Sequence, residues 1–229
     1  MDASTTDVPD QAAKAEARGA LSLGETIASF FGFGTPRILA VQLAIAAAAR
    51  PFFGPFGTRD ALIVAAVIVY WPLQEWVAHR LILHARPRTL GRFRLDSAPA
   101  RAHRKHHRNP RDLTYALLPS SSMRVLVPLH LLFWWSVTSS WAHAFTGICA
   151  FGAATLVYEW IHFLCHAPYR ARSGYVRRVR AHHALHHFKN EKYWHSFTVP
   201  ALDRLFGTGP KPSEVPLSST CRDLGIPQD

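Results

Sequence analysis

Long apolar blocks separated by basic, histidine-rich segments constrain this chain more than any other feature of its sequence. The block "ALIVAAVIVYWPLQEWVAH", residues 61–79, is long enough for a helix that crosses a bilayer, which takes about 20 residues. A later block covers residues 125–164, and one straight helix of that length would reach nearly twice the hydrocarbon thickness of about 30 Å. We therefore expect it to fold back at "TSSWAH", residues 138–143, which gives spans near 125–137 and 144–161.

The first apolar block, "ILAVQLAIAAAA" at residues 38–49, is short for a span on its own. The apolar segments "TIASFFGFGTP" and "PFFGPFG" on either side extend it, so we predict a span here, with a re-entrant or interfacial segment as the alternative. Together the blocks predict an all-α integral membrane protein with about four transmembrane helices.

Charge follows the same segregation. The formal net charge is +11, and basic residues are dense between the second and third blocks and again after the last one. Four spans put both basic regions and the N-terminus on one side of the membrane, and the excess of Lys and Arg predicts that this side is cytoplasmic. The two histidine-rich regions share a side even if the first block does not cross. We expect no nucleic-acid partner, because no recognition fold accompanies the charge.

The polar ends of the chain predict its domain limits. Residues 1–35 read as a polar N-terminal tail, residues 36–208 as the membrane domain and residues 209–229 as a C-terminal tail. We expect no cleavable signal peptide, because no basic segment is followed at once by an apolar core. The three cysteines form no Cys-x-x-Cys pair, which fits a reducing compartment.

Ten of the 14 histidines fall into four motifs at the ends of predicted spans or just beyond them. The motifs read His-x4-His, His-x2-His-His, His-x3-His and again His-x2-His-His. Their members are His79 and His84; His103, His106 and His107; His162 and His166; and His183, His186 and His187. Residues three and four apart share a helix face, so the last three motifs can each point imidazoles one way. The first pair is five residues apart and needs a helix end or a bulge.

These spacings suggest a metal site, although a single histidine pair on a helix is more often without a ligand. Ten neutral imidazoles exceed the four ligands of one tetrahedral zinc ion and suit two metal ions. Imidazole binds Zn, Cu, Fe and Ni, so the residue type leaves the metal open. The carboxylates of a soluble di-iron bundle are missing, and Glu75 and Glu159 fit better as groups that orient an imidazole by accepting its other N–H.

Four histidines lie outside the motifs. His182 and His195 are further candidates for contact with the metal ligands or the substrate. His130 and His143 lie within the third apolar block, where a hydrogen-bonded structural role is favoured over ligation.

The four motifs resemble, in the same order, those of the fatty acid hydroxylase / sterol desaturase superfamily, and particularly its fatty acid and ceramide 2-hydroxylases. The matching segments are "EWVAHRLILH", "HRKHHRNPRDLTYALLP", "EWIHFLCH" and "AHHALHHFKNEKYWHSFTVPALDRLFGT", within residues 61–208. The resemblance implies a four-helix membrane unit with a cytosolic helical cap. It also implies that the ten motif histidines ligate two metal ions, with iron expected and zinc an alternative occupant of the isolated protein.

The resemblance further implies an O2-dependent hydroxylase that acts on a C–H bond of a fatty acid or sphingolipid acyl chain. Eukaryotic relatives carry an N-terminal haem domain that donates electrons, and residues 1–35 are too short for one, so a separate electron-donor protein is expected. The glycine-rich turn that often follows the last motif is replaced by "YWHS", residues 193–196.

Two other functions stay open from the sequence. One is a sterol or carotenoid oxygenase or desaturase of the same superfamily. The other, more remote, is a non-enzymatic membrane protein that binds or transports metal, which would need ionisable residues along a path through the membrane. Only His130 and His143 come near such a path.

Overall fold

The computed structural model describes residues 20–226, and within them the chain is mostly helical. The helices are α1 (Leu23–Gly32), α2 (Gly34–Ala49), α3 (Thr58–Val77), α4 (Ala98–Arg108), α5 (Ser120–Thr138), α6 (Trp141–His166), α7 (Gly174–Phe188) and α8 (Ala201–Leu205). Short 3-10 turns cover Arg50–Phe53 and Pro212–Glu214, and a π-helical turn covers Ala78–Leu83. The all-α prediction omitted one small antiparallel hairpin, β1 (Arg88–Leu90) and β2 (Phe93–Leu95).

Two helical segments of the described chain are long and apolar enough to cross a membrane. They are Thr58–Leu83 and Trp141–His166, and they contain the predicted spans 61–79 and 144–161. A third arises if α1 and the segment Gly34–Phe53, which meet at an angle of 89°, form one broken span. The structure thus gives two or three candidate spans, and the number four remains a prediction.

The predicted fold-back of the third block is confirmed. Helix α5 ends at Thr138, and Ser139 adopts a left-handed conformation with φ of 50°. Ser140 then caps α6, since its side chain accepts a hydrogen bond from the backbone N–H of His143. Helices α5 and α6 therefore run in opposite directions and pack against each other.

Helix α6 lies at the centre of the helical bundle, with α2, α3 and α5 packed around it. Small residues allow the close approach: a Cβ atom on Gly147 would lie 2.2 Å from the Trp134 ring of α5, and one on Gly152 would lie 2.7 Å from the Gln42 side chain of α2. By contrast, many large apolar side chains of α3 and α5 face outward, as expected of lipid-facing helices.

Helix α1 lies within the segment that the sequence assigned to an N-terminal tail, residues 1–35. Ser22 and Glu25 form a capping box at its start, and Phe30 is buried against Phe163 of α6. The described part of this segment is therefore packed structure, because its apolar residues cover the end of α6. Residues 1–19 of the predicted tail lie outside the described residues.

A buried ion pair closes the end of the bundle that is remote from the ten motif histidines. The guanidinium of Arg50 and the carboxylate of Asp60 lie 2.8 Å apart, and both groups also bond the hydroxyl of Thr146. Both side chains of the pair are almost fully buried. This contact joins the end of α2, the start of α3 and the start of α6.

Candidate metal centre

A π-helical turn at the end of α3 brings the first two motif histidines to one side. The backbone N–H of His84 donates to the carbonyl of His79 at 3.3 Å, a bond that spans five residues instead of four. The wider turn compensates for the five-residue spacing, which would not align on a regular α-helix. The bulge that the sequence required is therefore confirmed.

The other three motifs lie on α-helices that converge at the same end of the bundle. Helix α4 carries the second motif, the C-terminal end of α6 the third, and α7 the fourth. Ser97 and Ser173 accept hydrogen bonds from backbone N–H groups at the starts of α4 and α7, respectively, which fixes where these helices begin.

All ten motif histidines meet in two clusters of five, which we call site A and site B. Site A consists of His79, His84, His103, His107 and His186. Site B consists of His106, His162, His166, His183 and His187. Within each site, one nitrogen atom of every ring lies within 4.8 Å of the corresponding nitrogen of every other ring.

The ring nitrogens make more close contacts than hydrogen bonds among neutral rings can account for. In site B, Nε2 of His183 lies 2.9 Å from Nε2 of both His166 and His187 and 3.1 Å from that of His162. One N–H can serve only one of these contacts, so the others bring lone pairs together. Two nitrogens bound at about 2.1 Å to one octahedral ion lie about 3.0 Å apart, so the spacing fits a metal ion between the rings.

Site A shows the same convergence and also fixes the tautomer of three rings. Nδ1 of His79 donates to the carbonyl of His195 at 2.5 Å, and Nδ1 of His107 donates to that of Cys221 at 2.8 Å. Nδ1 of His186 donates to the carbonyl of Tyr193 at 2.7 Å. These bonds hold the proton on Nδ1 and leave the lone pair of Nε2 directed into the site.

Burial keeps the imidazoles of both sites neutral. It lowers the pKa of His107 to about 3. Burial first, and then the neighbouring histidines, hold the pKa of His103, His183 and His186 well below the usual value. Neutral rings are the form that binds metal, so the sites are prepared for cations at physiological pH.

The two glutamates contact backbone N–H groups instead of imidazoles, which corrects their predicted role. The carboxylate of Glu75 accepts from the N–H of Phe197 at 2.8 Å and of Thr198 at 3.0 Å. The carboxylate of Glu159 accepts from the N–H of Leu118 at 3.2 Å. Each buried carboxylate thus anchors a loop to a long helix, because backbone N–H groups of the loop donate to it and no motif imidazole does.

His182 and His195 lie outside both clusters, and His195 borders site A. Nε2 of His182 lies 2.8 Å from the carboxylate of Asp203, which also accepts from the backbone N–H groups of His195 and Ser196. His195 contributes its carbonyl to His79, and its ring lies beside those of His84 and His186.

Three features of the site escaped the sequence interpretation. Asp203 organises the loop that holds His79, and only its place in the "ALDRLFGT" segment pointed to it. The carbonyls of Tyr193 and Cys221 carry no sequence signal, because every residue has one.

His130 packs against the ring of Phe151, and neither it nor His143 belongs to either site.

Comparison with known proteins identifies relatives with named activities. The family model for fatty acid hydroxylase matches residues 64–208. The dihydroceramide fatty acyl 2-hydroxylase FAH2 of Arabidopsis thaliana is 28% identical over 150 residues, which are 65% of this chain and 61% of that protein. The fatty acid 2-hydroxylase of Rattus norvegicus is 25% identical over 149 residues, 64% of this chain and 39% of that protein. This chain therefore spans less than two thirds of the length of these relatives.

A solved structure shares the fold. The structure of full-length Scs7p, in which only the hydroxylase domain is visible, matches with a TM-score of 0.59 at 20% identity, over 80% of this chain and 66% of that one. All ten clustered histidines lie inside the segment that the family model matches. The family model covers more than half of the sequence, and the chain belongs to the fatty acid hydroxylase family.

Proposed function

We propose that this protein is a membrane-bound, O2-dependent hydroxylase of fatty acyl chains, with one iron ion in each of sites A and B. The observation that carries the proposal is the pair of five-histidine sites at the ends of two apolar helices. The relatives named above are called 2-hydroxylases of fatty acids and of dihydroceramide fatty acyl groups, which supports C2 of a fatty acyl chain as the position attacked.

Hydroxylation of a C–H bond by O2 requires a redox-active metal, because electrons have to be delivered to the oxygen. One oxygen atom of O2 enters a C–H bond and the other leaves as water, which consumes two electrons and two protons. Iron held by the histidines would supply the oxygen chemistry, whereas the protein supplies binding, orientation and exclusion of water. The electrons are assigned to a separate donor protein.

An apolar side chain shields site B from bulk water. Phe197 is 1% exposed, and its ring stacks on His162 with 4.9 Å between centroids and lies 5.1 Å from that of His183. Glu75 holds the backbone of this residue in place. A closed apolar wall of this kind limits side reactions of the oxidant with solvent.

A small cavity marks where the reacting carbon would lie. It has a volume of about 20 Å³ and touches His103 of site A and His162 of site B. Leu83, Leu117 and Tyr158 are among the side chains that form its other walls. This volume suits a single methylene group, and the apolar walls suit the acyl chain on either side of it.

The proposal is tested by lipid profiling and metal analysis of the same preparations. Cells that express the wild-type protein should accumulate 2-hydroxylated acyl lipids by mass spectrometry, and the purified protein should hold about two iron ions per chain. The His186→Ala variant should lose both the product and the iron of site A. His143→Ala, outside both sites, is the matched control and should keep both.

Other outcomes distinguish the alternatives. Equal amounts of hydroxylated lipid with the wild-type protein and with His186→Ala would contradict the proposal. Hydroxylated or desaturated sterols or carotenoids, without acyl products, would assign the protein to the other branch of its superfamily. Metal uptake into vesicles without oxygen consumption would indicate a transporter.

A further inference from the structure

A hollow on the polar surface opens beside site A. Its volume is about 440 Å³, and its walls include Arg80, Arg86 and Lys192 together with His84 and His195. The remaining lining residues are Glu191, Thr220 and Leu224. The volume of this hollow is more than ten times that of the cavity between the two sites, and its walls are charged. We therefore treat it as a binding surface separate from the acyl-chain cavity.

His84 connects this hollow to the metal site. It is the one member of site A that is not fully buried. Its Nε2 atom lies 3.1 Å from Nε2 of His186, inside the site. A single imidazole ring therefore separates the hollow from the position of the metal ion, and electron transfer is fastest over such short distances.

The surface around the hollow is strongly basic. Arg80, Arg86 and Lys192 are exposed, and none of them forms an ion pair with a carboxylate in residues 20–226. The one carboxylate in the wall, that of Glu191, is 5% exposed and accepts from the hydroxyl of Thr220 at 2.6 Å. Three cations therefore outnumber the single carboxylate in the wall, and the hollow carries net positive charge.

A second basic hollow continues the surface on the other side of the C-terminal segment. Its volume is about 190 Å³, and Arg101, Lys105 and Arg108 are among its walls. The carboxylate of Asp96 in this hollow already pairs with Arg104 at 2.6 Å. Leu224 lines the first hollow and Ile226 the second, so the two hollows lie on either side of a short stretch of chain, and we call them together the basic groove.

We propose that this basic groove is the docking surface for an acidic one-electron carrier protein, whose electrons enter site A through the exposed edge of His84. The inference rests on the proposed function, because hydroxylation consumes two electrons per turnover that a reductant has to supply. A net positive surface beside a metal site steers an acidic partner to the point where transfer takes place.

The groove favours a protein over a small anion. An isolated carboxylate or phosphate needs only one or two of these cations, whereas cations line both hollows. The side chains of Arg80, Arg86 and Lys192 are exposed instead of forming a closed binding pocket. Such an arrangement suits the rim of a transient protein interface, where charge governs the association rate more than the final affinity.

The test uses the iron-loaded protein in nanodiscs of zwitterionic phosphatidylcholine. The probe is a reduced acidic [2Fe–2S] ferredoxin, a carrier with a potential of about −400 mV. Its oxidation is followed anaerobically by stopped-flow absorbance at low and high salt. The triple variant Arg80→Glu/Arg86→Glu/Lys192→Glu should lower the second-order rate at low salt by about 10- to 100-fold, and the difference should shrink at high salt.

Two controls separate docking from damage to the site. Arg178→Glu makes a single charge reversal of the same kind at an exposed position outside both hollows and should alter the rate less than about threefold. Reduction by excess dithionite should proceed equally in the wild-type protein and all variants, which shows that the iron centre is intact.

Specific results would overturn the inference. A rate that does not depend on salt, or an equal loss in Arg178→Glu and the triple variant, would show that the groove does not select the donor. Normal electron transfer by a triple variant that no longer binds phosphatidylserine vesicles would assign the groove to anionic lipid. Failure of the proposed function is recognised separately, because wild-type protein reduced by dithionite would then give no hydroxylated product with O2.

Discussion

At the scale of single residues, the sites depend on rings whose lone pairs point inward and whose orientation is fixed. The backbone carbonyls of Tyr193, His195 and Cys221 meet this requirement for three rings of site A. Outer contacts of this kind typically change metal affinity or activity by about 10- to 100-fold when they are lost. Residues that hold these carbonyls therefore matter to the metal without touching it.

Asp203 is the clearest example at this scale. It accepts from the N–H groups of His195 and Ser196 and contacts His182, and so it fixes the loop whose carbonyl holds His79. We expect Asp203→Asn to weaken iron binding at site A by about 10-fold and to leave site B unchanged. Iron removal by a competing chelator, followed by elemental analysis, reports the two sites as two separate phases of iron loss.

The matched control for this variant is Asp112→Asn. Asp112 also accepts a backbone N–H, that of Thr114, but in a surface turn away from the sites. It should keep both phases of iron release. An Asp203→Asn protein with wild-type iron retention would show that the loop holds its shape without this carboxylate.

At the scale of secondary structure elements, the segment after the family match contributes to the site. Residues 209–226 follow the matched region, and their Cys221 carbonyl accepts from His107. Several bonds fasten the segment, among them those from the Ser218 N–H to the Lys189 carbonyl at 2.8 Å and from the Thr220 hydroxyl to Glu191. The sequence interpretation assigned residues 209–229 to a C-terminal tail. In the structure, the described part of this segment instead packs against the site through these contacts.

Deleting residues 217–229 should therefore lower the iron content from about two ions per chain to about one. The expected reason is that His107 loses the acceptor that fixes its tautomer, whereas site B keeps all its neighbours. Elemental analysis of the purified protein measures the ratio. Thr220→Val, which removes the hydroxyl that bonds Glu191 and Ser218, should give an intermediate loss. Full iron content after the deletion would mean that the segment does not hold the ring.

At the scale of the whole molecule, the helices connect two different ends. The backbone N–H of Leu21 donates to the carbonyl of Pro168 beside the histidines, whereas Arg50 meets Asp60 at the remote end. The bent pair α1 and α2 thus runs from one end of the bundle to the other, as α3, α5 and α6 also do. This arrangement fits four spans, whereas the cytoplasmic side of the histidines remains a prediction from the excess of Lys and Arg.

Labelling of single introduced cysteines with a membrane-impermeant maleimide tests this topology. In intact cells Phe52→Cys, at the remote end and 88% exposed, should react from outside. Arg178→Cys and Gly24→Cys should react only after the membrane is opened. The parent protein with its three native cysteines gives the background. Reaction of Arg178→Cys in intact cells would reverse the orientation, and failure of Phe52→Cys to react from outside would show that α1 and α2 do not cross.

Local chemistry explains how much could be predicted. A helix satisfies its own backbone hydrogen bonds, so apolar blocks long enough to span a bilayer can be recognised one at a time. The same local geometry relates the spacing of histidines to a shared helix face. It also predicted that His79 and His84, five residues apart, need a wider turn, and the structure has a π-helical turn there. Membrane helices, the fold-back and the ten clustered histidines could therefore be predicted from the sequence alone.

Tertiary structure decided how those histidines are divided. His103 and His107 belong to site A, whereas His106 between them belongs to site B. On α7, His186 belongs to site A and its neighbours His183 and His187 belong to site B. Spacing cannot make this division, because all three rings of a motif share a face and the packing of α4, α6 and α7 determines which ring meets which. The Nδ1 acceptors of His79 and His107 and the loop partners of Glu75 were decided in the same way, since they join residues more than a hundred positions apart.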